Sequence, residues 1–124
     1  MEITPHDVHD LAPDEIFVFG SNASGQHGGG AARTAYRRFG AVWGEGHGHH
    51  GQTYAIDTMS GLDVLAEEAR TFIDYAREHP ALRFLLTPVG CGIAGYTPAQ
   101  VGPLFAGIPA NVTVPSVFVP FLAT

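Results

Sequence analysis

The sequence predicts an α/β protein built on a mixed, largely parallel sheet, and three observations carry that expectation. Apolar runs of strand length, Ile16 to Phe19, Thr53 to Ile56 and Leu82 to Thr87, alternate with segments of helical periodicity. Between Leu62 and Glu78 the apolar side chains Leu62, Leu65, Ala69, Phe72, Ile73 and Ala76 fall on one helical face, as expected of a helix packed on a sheet. Two glycine-rich stretches, 20–30 and 88–96, each follow a predicted strand. Ligands of open α/β sheets gather at the carboxyl ends of strands, so both stretches are expected to line one crevice.

Taken in order, residues 1–15 carry Pro5, Pro13 and several acids without periodicity and read as an irregular arm. Ile16 to Phe19 is the first strand. Five glycines follow between Gly20 and Gly30, then an Ala-rich helix from about Gly30 to Phe39, stopped by Gly40 in the left-handed position past its end. Residues 41–52 read as a loop rich in glycine and histidine. Thr53 to Ile56 is a short strand ending at Asp57, and the amphipathic helix from Leu62 stops before Pro80. Leu82 to Thr87 is apolar enough for a central strand buried on both faces. Thr97 and Pro98 read as an N-cap and first helical residue of a helix running to about Phe105. Val112 to Val114 and Val117 to Val119 form a last strand, interrupted by Pro115 and so placed at an edge.

Composition narrows the function. A chain of 124 residues is read as one domain able to bury roughly two-thirds of its unfolded surface. Six arginines, no lysine and twelve acids give a formal charge of −6, which argues against sequence-independent nucleic-acid binding. A phosphate-bearing small molecule stays open, because backbone amides hold a phosphate locally whatever the distant charge. One cysteine excludes an internal disulfide, no apolar run has membrane-spanning length and no signal peptide is recognisable. A cytoplasmic setting is the expectation.

Glycines let a backbone approach a ligand closely, and N–H groups of a glycine loop and a helix start point at an anion. Gly28-Gly29-Gly30 is more glycine than a turn requires. Two motifs then resemble a known family. Gly28-Gly29-Gly30-Ala31-Ala32 followed by Phe39-Gly40, and Gly90-Cys91-Gly92-Ile93, resemble the two ligand loops of macro domains, the second being similar to the branch that includes terminal-ADP-ribose glycohydrolases. The closest likeness is to small standalone bacterial and phage macro-like proteins, with Asn22 matching the asparagine of the first motif; it extends from about Ile16 to Val119.

The resemblance implies a three-layer α/β/α sandwich and a crevice for ADP-ribose, an ADP-ribosylated molecule or a related nucleotide diphosphate. It implies ligand contacts from Gly20, Ser21, Asn22, Gly28, Gly29, Gly30 and Ala31, and from Val89, Gly90, Cys91, Gly92, Ile93, Ala94, Gly95 and Tyr96. No cofactor is expected. The lysine of the glycohydrolase branch is replaced by Gly29 and its aspartate by Ala94, while the aspartate of the other hydrolytic branch corresponds to a residue near Ala32. The aspartate that holds adenine near the N-terminus has no evident counterpart. If ADP-ribosyl hydrolysis nevertheless occurs, Asn22, His27 and Asp57 are the candidates to position water.

Each residue also has a plainer role open to it. Asn22 can cap its turn, Asp57 can cap the turn after its strand, Tyr96 can pack beneath its loop, and Cys91 reads as a small, partly buried residue without an evident base. Arg33 is near enough to its helix start to reach a ligand, whereas Arg37 and Arg38 read as solvated. His47, His49 and His50, with His27 and Asp57, form a rival constellation suited to zinc or a similar ion, although His-x-His-His in a glycine loop lacks a preorganised spacing.

Overall fold

The structure, a computed structural model, describes residues 2–122. The strands are β1 (Glu15–Ser21), β2 (Gly48–His50), β3 (Thr53–Asp57), β4 (Arg83–Leu86) and β5 (Val112–Thr113). They form one mixed sheet in the order β2-β3-β1-β4-β5, with β3, β1, β4 and β5 parallel and β2 antiparallel on β3. The helices are α1 (Gly30–Thr34), α2 (Leu62–Glu78) and α3 (Pro98–Val101).

Side chains alternate across a strand, and β1 shows what that does here. Ile16 and Val18 join α2 residues Leu65, Ala69, Phe72, Ile73 and Ala76 in a large core on one face. Phe17 and Phe19 point the other way, into a smaller core with Ala32, Ala35 and Phe39 from the helix that begins as α1. Hydrophobic clusters thus cover both faces of the central strand. The sequence pattern located α2 because that helix spends its whole apolar stripe on the sheet.

Two helix signals also take their expected form. Gly40 has φ +91°, closing the helix after a π-turn at Ala35–Phe39. Thr97 caps α3 in a reciprocal pair with Gln100, with Pro98 next in sequence, and the chain then tightens to a 3-10 turn at Gly102–Phe105.

Three expectations are corrected. Val117–Val119 is not strand but part of a 3-10 turn at Ser116–Phe121; Pro115, with no N–H to give the ladder, ends the strand and opens the turn. The loop expected at 41–52 contains β2, whose residues Gly48, His49 and His50 carry no apolar alternation by which to recognise a strand. The arm is not wholly irregular. Ile3 forms a parallel bridge with Val114, the Thr4 N–H donates to the Val114 carbonyl at 2.7 Å, and Val114 N–H donates to Glu2 at 3.0 Å. That pairing covers part of the β5 edge. Among the described residues no helix is long and apolar enough to cross a membrane.

Candidate functional site

Because β1, β3 and β4 are parallel, the loops after them leave the sheet at the same end. Their backbones converge tightly. Ser21 O accepts from Thr58 N at 3.0 Å and from Thr58 Oγ1 at 3.1 Å, while Thr87 N and Oγ1 donate to Val18 O at 3.2 and 2.7 Å. A Cβ placed on Gly20 would lie 3.2 Å from Thr58 Cγ2 and 3.7 Å from Gly90 N, so glycine lets the three loops meet.

Between them lies a crevice of about 810 Å³. Of the ligand residues expected from sequence, Gly20, Ser21, Asn22, Gly28, Gly29, Gly30 and Ala31 line it from the first loop. Val89, Cys91, Gly92, Ile93 and Ala94 line it from the second. Gly90, Gly95 and Tyr96 do not line it. Gly90 and Gly95 have φ +79° and +80° and shape the turn, with Tyr96 N donating to Gly90 O at 2.9 Å. Tyr96 packs against the large core beneath the loop, as the plainer of its two sequence readings expects.

The open positions are distinctive. A Cβ added at Gly28, Gly29, Gly30 or Gly92 would meet no atom within 4 Å, so at these points the bare backbone faces space. None of the described residues lining the crevice is acidic or basic. An anion entering it meets amide dipoles and uncharged side chains, with no carboxylate on the walls to repel it. The chain's net acidity is carried elsewhere.

The three catalytic candidates have other partners. Asn22 lines the crevice, but its Oδ1 accepts from Gln26 N at 3.0 Å and Ser24 Oγ at 2.9 Å, and its Nδ2 donates to Gln26 O at 3.0 Å. It holds the first loop in shape. Asp57 is buried and does not line the crevice; its carboxylate accepts from Met59 N at 2.9 Å and Ser60 Oγ at 2.5 Å, capping the turn into α2. His27 is buried beneath the loop, with Nδ1 3.2 Å from Ser21 Oγ and Nε2 2.9 Å from Val42 O. Since a carbonyl only accepts, Nε2 carries a proton and donates it to Val42 O. Burial pushes the Cys91 thiol up, away from the thiolate a nucleophile requires.

The histidine constellation does not assemble. Among the described residues no three His, Cys, Asp or Glu side chains converge as a metal site would require. His47 Nδ1 sits 2.8 Å from Glu68 Oε1, His49 lies between Tyr75 Oη and Gly51 O, and His50 Nε2 is 3.0 Å from His47 O. The contacts to Glu68 and Tyr75 tie the β2 segment to α2, and the other two are local to that segment. Replacing His47, His49 and His50 together with alanine is therefore expected to lower stability by about 2 kcal/mol, the net worth of a few hydrogen bonds. Binding of any ligand in the crevice should be unchanged, because none of the three lines it. Urea denaturation and ligand titration of the triple variant check this; loss of a stoichiometric bound metal would contradict it.

Sequence reasoning missed Trp43, Thr58, Met59 and Thr87, all of which line the crevice. Thr58 and Met59 were legible as residues just past a predicted strand, and Thr87 as the last residue of another. Trp43 arrives from the segment before β2, docked by glycines. Gly44 N donates to Gly25 O at 2.9 Å, and a Cβ on Gly46 would fall 1.9 Å from Asn22 O.

A second cavity, of about 840 Å³, adjoins the crevice and shares Ala31, Thr87 and Pro88 with it. It runs between the N-terminal arm, the α1 helix and the turn after Pro115, with Asp7, Thr34 and Arg38 among its walls. No protein-family model matches the chain, and neither does any curated protein or solved structure.

Proposed function

We propose that the chain is a macro-like α/β/α module that binds ADP-ribose, free or carried on a modified molecule, in the crevice between its two glycine loops. The observation that carries this reading is the crevice itself: exposed glycine backbone on both sides, at the carboxyl edge of a parallel sheet, with no charged side chain in its lining. Such a site suits a diphosphate held by amide donors. The adjoining cavity provides room for one nucleoside on one side of the diphosphate, and Asp7 supplies a carboxylate there that the motif comparison alone did not identify. A nucleotide ligand and a single unpaired cysteine suit an intracellular setting.

Binding without turnover is the proposed activity. Gly29 and Ala94 stand at the lysine and aspartate positions of the related hydrolases, and the side chains of Asn22 and Asp57 are engaged in holding turns. Titration calorimetry tests the proposal: ADP-ribose is expected to bind at about 1 μM, near −8 kcal/mol, with AMP and ribose 5-phosphate much weaker. No heat up to millimolar ADP-ribose would overturn the binding reading, and robust release of ADP-ribose from a modified protein would overturn its non-catalytic part.

A further inference from the structure

The crevice opens through Ala31, Thr87 and Pro88 into the second cavity. Asn22, Gln26, Met59 and Trp43 line the crevice and not that cavity. With the first nucleoside in the second cavity and the diphosphate over the glycine loops, the second ribose falls within the crevice that Trp43 lines.

Trp43 is built as a platform rather than as core. It is 51% exposed although it lines a crevice, and its indole is braced by Tyr36 at 5.4 Å and by buried His27 at 6.0 Å, both at steep interplanar angles. His27 is itself fixed by Ser21 and Val42 O. An indole held in this way loses little freedom when a ring lies on it. Met59, 49% exposed, and Ile93, 89% exposed, also line the crevice and extend the apolar rim. A sugar and phosphates offer this rim no flat apolar face, whereas an aromatic ring on the second ribose does.

We infer that Trp43 is a stacking residue for a planar ring on the second nucleoside, so that the preferred ligand class is a diphosphate with a base at both ends rather than ADP-ribose alone. This rests on the proposed use of the crevice for a nucleotide diphosphate. NAD+ is the probe, since it is ADP-ribose with a nicotinamide added at that position.

Trp43 is the only tryptophan in the chain, so fluorescence excited beyond tyrosine absorption reports this residue alone. Titrating wild type with ADP-ribose and NAD+, with calorimetry in parallel, should show NAD+ binding about tenfold tighter and quenching the emission more strongly. In Trp43→Ala the two ligands should bind equally by calorimetry, while Trp43→Phe should keep most of the preference. Equal affinity and equal quenching in wild type, or a preference that survives in Trp43→Ala, would overturn the inference and leave ADP-ribose binding standing. Failure of both ligands to bind would overturn both. If Trp43→Ala does not fold, the wild-type comparison and Trp43→Phe decide.

Discussion

Gly92→Val is expected to abolish ADP-ribose binding while leaving the unfolding transition where it is in wild type. Gly92 lies outside the left-handed region, and a Cβ there meets nothing within 4 Å, so the loop tolerates a side chain. Gly92 lines the crevice. Valine is stiff at χ1 and its two methyl groups cannot swing clear of a diphosphate lying on the backbone. The loss of affinity should exceed about a hundredfold, or roughly 2.7 kcal/mol. Calorimetry paired with thermal unfolding checks both halves. Gly90→Val is the contrasting control: φ is +79°, and a Cβ would crowd Leu65 Cδ2 at 3.2 Å and Val101 Cγ2 at 3.3 Å. That variant should lose stability as well as binding. Wild-type affinity in a folded Gly92→Val protein would remove the second loop from the site.

A large effect on stability is expected at Gly46→Ala. A Cβ at this position would sit 1.9 Å from Asn22 O and 3.3 Å from Gly25 N, both backbone atoms of the loop that Asn22 braces. Neither can rotate away as a side chain would, so one segment must lift from the other. The cost should be about 3 kcal/mol, the range of a core overpacking. Because the displaced loop lines the crevice, ADP-ribose affinity should fall too. Gly28→Ala, in the same loop but with open space before its Cβ, should leave stability near wild type. Urea denaturation of the two variants separates a steric cause from a general sensitivity of the glycine loops. Equal stabilities would show that the 41–47 segment yields easily.

These two glycines mark what the sequence discloses and what it hides. Gly92 was legible: it follows an apolar strand inside a glycine-rich loop, and the rules for ligand sites in parallel sheets put such loops at one edge. The same reasoning located Gly28 to Ala31. It failed for Gly46 and Trp43, because their place depends on backbone contacts with Asn22 and Gly25, some twenty residues away, which leave no periodic trace. The partners of the histidines were hidden for a related reason. Three imidazoles close in sequence suggest a metal, yet His49 and His50 point to opposite faces of β2, and His47 and His49 pair separately with Glu68 and Tyr75 of α2. Asp57 ends its strand as expected, but only the folded turn shows both carboxylate oxygens engaged by Met59 and Ser60. At the far end of the chain, valines 112–119 carry strand propensity throughout, and Pro115 divides them into a two-residue strand and a 3-10 turn.

The central claim is that both glycine loops hold one diphosphate nucleotide with their backbones. The most direct measurement is a proton–nitrogen correlation spectrum of the labelled protein titrated with ADP-ribose, which observes backbone amides one by one. The amides of Gly28 to Ala31 and of Gly92 to Ala94 should shift together along a single saturating curve, while those of Gly48 to His50 stay in place. Shifts confined to the histidine strand, or no shifts up to millimolar ligand, would contradict the account.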